Sequence, residues 1–127
     1  MSALTTLERE NLTRMLSERT EILRDEVRVG LKRMRTEGYE DLLSGTSDAG
    51  DRSVASLLTD VTNAEVARDA AELQDIFAAE SRLAAGTYGT CVDCDVPIPY
   101  ARLVAYPTAK RCLRCQQIRE TTRAPTR

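Results

Sequence analysis

Four cysteines stand in two equally spaced pairs, Cys91-Val92-Asp93-Cys94 and Cys112-Leu113-Arg114-Cys115, reading C-x2-C-x17-C-x2-C. Within each pair one backbone turn can aim two sulfurs at a single ion, and two such turns complete a tetrahedron. Thiolates favour zinc among the available divalent ions, and four of them leave no coordination position open. The expected site is therefore one structural Zn2+ held by Cys91, Cys94, Cys112 and Cys115, without a catalytic role. Four thiolates around a dication carry excess negative charge, which backbone N–H groups and Lys110, Arg111 and Arg114 are expected to offset. Small zinc modules gain roughly 10–16 kcal/mol from their metal, more than so aromatic-poor a segment gains by packing. The same ligand set also suits an iron site or a redox dithiol, which stay open as alternatives.

The composition narrows the remaining chemistry. The 127 residues include no His and no Trp, and aromatics make up 4%. Histidine-dependent catalysis and His-ligated metals are excluded, and a thick globular core is not expected. With no nucleophile–base pair and no phosphate loop, an enzyme is the least expected class. The apolar runs fall far short of the ~20 residues that span a bilayer, and the N-terminus lacks a signal-peptide pattern. A cytoplasmic protein is expected, with no membrane partner, in a reducing compartment where paired cysteines mean metal rather than disulfide. Charge is divided: 11 basic and 19 acidic residues precede Arg102, and seven basic against one acidic run from there to Arg127.

The elements that must position the cysteines read as helices. Thr5-Thr6-Leu7-Glu8 has the form of a capping box, opening a helix from about Leu4 to Leu43. Its apolar stripe runs through Leu12, Met15/Leu16, Ile22/Leu23, Val27, Leu31 and Met34, with Arg19 as a polar break. So narrow a stripe suits the seam of a helix pair. Gly30 and Gly38 each cost about 1 kcal/mol relative to Ala. Residues 44–51 (SGTSDAGD) form a turn by composition. A second helix is expected from about Ser53 to Ala85, with Val54, Leu57/Leu58, Val61, Ala64, Ala67, Ala71, Ile76 and Leu83 along one side. Two long helices joined by a short turn pack antiparallel. Pro97, Pro99 and Pro107 then point to short strands or turns between the cysteine pairs, before a last helix from about Cys112 to Arg123. The fold class expected is mainly α: a long antiparallel two-helix coiled coil over residues 1–85 with an acidic tip at 46–53, then a small four-cysteine zinc-finger module and C-terminal helix over residues 86–127.

Gly86-Thr87-Tyr88-Gly89-Thr90-Cys91-x-x-Cys94, Ile98, Arg102-Leu103, Ala105, Pro107-Thr108-Ala109, Cys112-x-x-Cys115-Gln116 and Glu120 together resemble the zinc-finger signature of the DksA/TraR family of bacterial transcription factors. The turn segment Asp48-Ala49-Gly50-Asp51-Arg52-Ser53 is similar to that family's D-x-x-D-x-A tip motif, with Ser53 in place of the alanine. The resemblance implies a regulator that enters the secondary channel of RNA polymerase and modulates initiation without binding DNA directly. It makes Asp48 and Asp51 the polymerase-directed tip acids, with Arg52 and Ser53 beside them; a monomer is expected, although a coiled-coil stripe can also pair between chains. On spacing alone, Asp48 or Asp51 could equally cap the second helix. Asp95 stands where the family has glycine; Asp tolerates left-handed backbone better than most residues. The positions matching the family's ppGpp contacts are Asp75, Tyr106 and Gln116, none cationic, so a weak or absent ppGpp response is expected. Two other readings compete: a nucleic-acid-binding zinc ribbon, drawn from the basic C-terminal segment, and a thiol-based redox sensor.

Overall fold

The computed structural model describes residues 4–33, Val54, Leu57 and residues 63–123. The helix ends expected at Leu43 and Ser53, and the tip residues Asp48, Asp51, Arg52 and Ser53, lie outside the described residues. Four helices are named here: α1 (Thr6–Arg33), α2 (Ala64–Ala85), α3 (Tyr100–Ala105) and α4 (Leu113–Arg123). Val54 and Leu57 are also helical and buried. Among the described residues there is no strand, and a single antiparallel bridge joins Thr90 and Pro97. The chain divides into two compact units, residues 15–78 and residues 1–14 with 79–127.

The start of α1 and the end of α2 follow their sequence signals, whereas the second helix, expected unbroken from about Ser53 to Ala85, is interrupted at Asn63, whose side chain starts α2 afresh. The Thr5 N–H donates to Glu8 Oε1 and the Glu8 N–H to Thr5 Oγ1, each at 3.0 Å, the reciprocal pair of a capping box. Asn63 caps α2 by accepting from the Val66 N–H at 3.0 Å. At the far end of α2, Gly86 takes φ 80°. The Gly86 N–H donates to Leu83 O at 3.3 Å and the Thr87 N–H to Arg82 O at 2.9 Å, the two bonds of a Schellman motif.

In the unit of residues 15–78, α1 and α2 run antiparallel, because rising numbers in one meet falling numbers in the other. Arg19 binds Glu72, Glu26 shares a hydrogen bond with Asp69, and Gly30 faces Val66. From α1 the seam buries Leu16, Thr20, Leu23, Val27 and Leu31; from α2 it buries Val66, Ala70, Leu73, Ile76 and Phe77. Val54, Leu57 and Ile76 are buried as the expected stripe has them, but its alanines are not. Ala64 is exposed and Ala67 and Ala71 are half-buried, so the seam lies one residue away from the alanine row, on larger side chains that fill more of the interface. In α1 the polar break falls on Thr20, not on Arg19. The Thr20 hydroxyl donates to Leu16 O at 2.8 Å, so it is buried with its donor satisfied. Arg19 flanks the seam and grips Glu72 through two nitrogens, at 2.7 and 2.9 Å; both side chains are well exposed, and such a pair contributes about 0–1 kcal/mol.

Gly30 has a packing reason that propensity alone conceals. A Cβ there would stand 2.5 Å from Val66 Cγ2, and a valine in a helix has little χ1 freedom with which to retreat. Gly30→Ala should gain about 1 kcal/mol of helix propensity yet lose about 1–3 kcal/mol to overpacking, giving a net fall in stability. Urea unfolding checks this, with Val66→Ala added to Gly30→Ala expected to recover part of the loss. Asp69 carries a second, electrostatic signature: burial first, then the neighbouring Glu26 carboxylate, raises its pKa. A carboxyl with a raised folded-state pKa opposes folding at neutral pH, and that opposition fades as pH falls through the folded value. Asp69→Asn should therefore raise the melting temperature at pH 7, with the gain vanishing below about pH 4, where the carboxyl is protonated folded or unfolded.

Candidate metal centre

The second unit builds the cysteine site on a core of Leu4, Tyr88, Cys91, Ile98, Leu103 and Ala109, all buried. A reverse turn carries the chain from α2 towards the first cysteine. The Thr90 N–H donates to Thr87 O at 3.3 Å, and Gly89 sits at φ 88°, the positive φ that the third position of a type II turn requires. A Cβ on Gly89 would also come within 2.8 Å of Leu4 Cδ1. Ile98 returns to this turn by donating its N–H to Gly89 O at 2.8 Å. The Tyr88 hydroxyl donates to Pro107 O at 2.8 Å, and burial pushes its pKa up to about 12, against the opposing pull of Arg82.

The first cysteine turn closes on itself. The Cys91 N–H donates to Val96 O at 2.8 Å and the Asp95 N–H to Cys91 O at 3.0 Å. Asp95 adopts φ 65° and is the one non-glycine residue at positive φ among those described, as its place in the finger signature leads one to expect. The second turn is the start of α4. The Gln116 N–H donates to Cys112 O at 2.9 Å, and the Cys115 N–H points at Cys112 Sγ at 3.5 Å. Between the two turns the prolines bound a helix that the sequence reading missed. Pro99 precedes α3, and Pro107 follows its cap residue Tyr106. Proline is tolerated at a helix start and just beyond an end, so the signal was present in the spacing of Pro99 and Pro107.

These turns bring all four cysteines together, with their Sγ atoms within 4.8 Å of one another. Cys94 Sγ and Cys112 Sγ are 3.8 Å apart. A tetrahedral Zn–S distance of ~2.3 Å implies sulfur–sulfur edges of roughly 3.8 Å, so the donor set fits a zinc ion in both number and spacing. Cys91 is buried and Cys94 exposed. Desolvation pushes the Cys91 thiol up, but N–H groups of Cys112, Asp93 and Cys94 directed at its sulfur outweigh it and bring the pKa down to about 6. Hydrogen bonds with the Cys94 and Cys112 sulfurs push Cys115 up to about 12. Cys94 is also raised: a bond from the Val96 N–H pulls it down, but desolvation and the sulfurs of Cys91 and Cys112 prevail. Without a cation, the cluster thus supports a thiolate at Cys91 while Cys94 and Cys115 keep their protons.

Residues 86–120 match the prokaryotic dksA/traR C4-type zinc finger. The chain carries a zinc finger of the DksA/TraR family. Thirty residues are 57% identical to an uncharacterized 8.2 kDa protein in the gpA 5' region of Escherichia phage P2, covering 24% of this chain and 40% of that protein. Thirty-nine residues are 46% identical to the uncharacterized protein YlyA of Bacillus subtilis (strain 168), covering 31% of this chain and 32% of that one. The chain thus aligns with less than half the length of either relative. Its fold is similar to that of the transcription factor DksA2 from Pseudomonas aeruginosa, with a TM-score of 0.65 over 94% of this chain and 88% of the other, at 20% identity. That likeness agrees with the expected coiled coil plus zinc finger.

The donor set fits one structural zinc, which Cys91, Cys94, Cys112 and Cys115 would hold and which would join the two cysteine turns. Of the three cations expected to offset the thiolates, Arg111 is directed elsewhere: its Nε meets Asp93 Oδ2 at 2.8 Å. Lys110 and Arg114 are exposed. Gln116 donates to Glu120 at 2.8 Å on the outer face of α4. Among the described residues no helix is long and apolar enough to cross a membrane.

The sulfur pKa pattern gives a directional test. At pH 7 zinc must displace protons from Cys94 and Cys115, whereas Cys91 is already mostly ionised. Zinc titration in buffers of different ionisation heat should show more than one proton released per ion at pH 7. Affinity should fall as pH drops, and more steeply below about pH 6, where Cys91 adds a further proton.

Proposed function

We propose that this chain is a bacterial transcription regulator, not an enzyme, that binds core RNA polymerase through the secondary channel and modulates initiation without contacting DNA itself. The observation that carries the reading is the conjunction, in one short chain, of a DksA/TraR zinc finger with a pair of long antiparallel helices. The fold likeness to the transcription factor DksA2 over nearly the whole chain supports it. In this reading residues 1–85 supply the coiled coil and residues 86–127 the zinc finger and C-terminal helix. Cys91, Cys94, Cys112 and Cys115 ligate one zinc, which closes the coordination sphere and leaves no position for a substrate. Asp48 and Asp51, with Arg52 and Ser53, form the tip at 46–53 directed at the polymerase interior. Carboxylates suit that role because hard magnesium ions, such as those of a polymerase active site, take oxygen ligands.

Two further features support the same reading. Asp75 and Tyr106 are exposed, Gln116 is engaged with Glu120, and the Arg102 guanidinium lies over the Tyr106 ring at 5.7 Å. Asp75, Tyr106 and Gln116 bring no positive charge of their own to a tetraphosphate, so the regulator acts without a strong ppGpp response. The nucleic-acid reading loses ground for a related reason. Arg111 is committed to Asp93 with only 10% of its side chain exposed, which withdraws one of the finger's cations from phosphate contact. A monomer in the cytoplasm completes the proposal.

The test is competition for core polymerase against an established secondary-channel factor, together with the decay of promoter complexes. The wild-type chain should displace the competitor and change promoter-complex lifetime. Asp51→Asn should lose most of the lifetime effect while still competing for polymerase. An unchanged lifetime at saturating wild-type protein rejects the proposal.

A further inference from the structure

The two cysteine turns lie side by side in register, and three successive residues of the first meet three successive residues of the second. The Val92 N–H donates to Lys110 O at 2.9 Å. Asp93 Oδ2 accepts from Arg111 Nε at 2.8 Å. Cys94 Sγ lies 3.8 Å from Cys112 Sγ. Only the last of these contacts involves sulfur. The middle one is an ion pair in which the Arg111 side chain is 10% exposed and that of Asp93 is 39% exposed. Arg111 is anchored from behind as well, its carbonyl accepting from Arg102 Nε.

We propose that the Asp93–Arg111 pair is a latch between the two cysteine turns that sets how tightly the finger holds its metal. The inference rests on the reading of Cys91, Cys94, Cys112 and Cys115 as the ligands. Asp93 lies inside the first Cys-x-x-Cys, and Arg111 directly precedes the second. A guanidinium so nearly buried is costly without its carboxylate, so closing the pair and aligning the turns are one event. Aligning the turns places Cys94 beside Cys112, so part of the ordering needed to assemble four sulfurs is complete before an ion arrives. Asp93 and Arg111 are positioning residues: they act on the metal through the cysteines they align. Groups that orient metal ligands in this indirect way typically change affinity by 10- to 100-fold when removed.

A competing account of Arg111 makes the opposite prediction for its partner. Were Arg111 present only to offset thiolate charge, removing the Asp93 carboxylate would relieve repulsion around the sulfurs and tighten metal binding. The latch requires that removing it weaken binding. The experiment is zinc competition against a chromogenic chelator for the full chain, its Asp93→Ala and Arg111→Met variants and the double variant, with Co2+ spectra of each. Each single variant should lose about 10- to 100-fold in affinity. The double variant should be no weaker than the worse single one, because the pair acts as one unit. Asp93→Glu should recover most of the loss, and the cobalt bands of a four-sulfur tetrahedron should persist in every variant at saturating metal. Tighter binding by Asp93→Ala, multiplying losses in the double variant, or no recovery with Asp93→Glu each overturn the latch. Loss of the tetrahedral cobalt bands in Asp93→Ala or Arg111→Met at saturating metal also overturns it, because the latch sets affinity and leaves the ligand set unchanged. A wild-type chain that binds no cobalt overturns the metal reading, and the latch with it.

Discussion

The finger depends on bringing four sulfurs, 17 residues apart in two pairs, to one point in a chain with little else to bury. Among the described residues of this unit Tyr88 is the one buried aromatic side chain, beside Leu4, Leu12, Ile98 and Leu103. Hydrogen bonds shape each turn separately, and the Cys91 and Asp95 amides close the first without reference to the second. What links the turns is the row of contacts at Val92, Asp93 and Cys94. Sulfur chemistry then explains why a dication is needed: the electrostatics of the cluster favour a thiolate at Cys91 but leave Cys94 and Cys115 protonated.

The helix pair obeys a different constraint, that of a narrow seam. Mostly single rows of side chains from α1 and α2 meet, so every position counts twice, for propensity and for fit. Gly30 is poor for the helix and necessary for Val66. Thr20 is polar at a buried layer, but its hydroxyl turns back onto its own helix, so burial leaves no donor unmet. Arg24, its side chain only 18% exposed, lays its guanidinium over the Phe77 ring at 5.9 Å and covers the largest side chain of the seam.

The proposed function places this protein's chemistry in binding, through an antiparallel helix pair and a four-cysteine site. The charge division between the acidic body of the chain and its basic C-terminal segment is real in the sequence, but the fold reassigns part of it. Arg111 serves the finger's interior, so the basic segment presents one cation fewer to a partner than a count suggests.

Much of this was legible in the residues. The capping box at Thr5 and Glu8 and the helix stop at Gly86 follow from local rules that act over a few residues, the paired cysteine spacing named the metal ligands, and the family resemblance pointed to left-handed backbone at Asp95. Position along the seam of α2, the partner of Arg111, the reason for Gly30 and the short helix between Pro99 and Pro107 were decided by tertiary packing. An alanine row and a row one step round the helix have similar periodicity, and only the facing helix selects between them. Likewise a basic residue beside a thiolate and one that grips a distant carboxylate look alike in sequence, since burial and register arise only when the two turns meet.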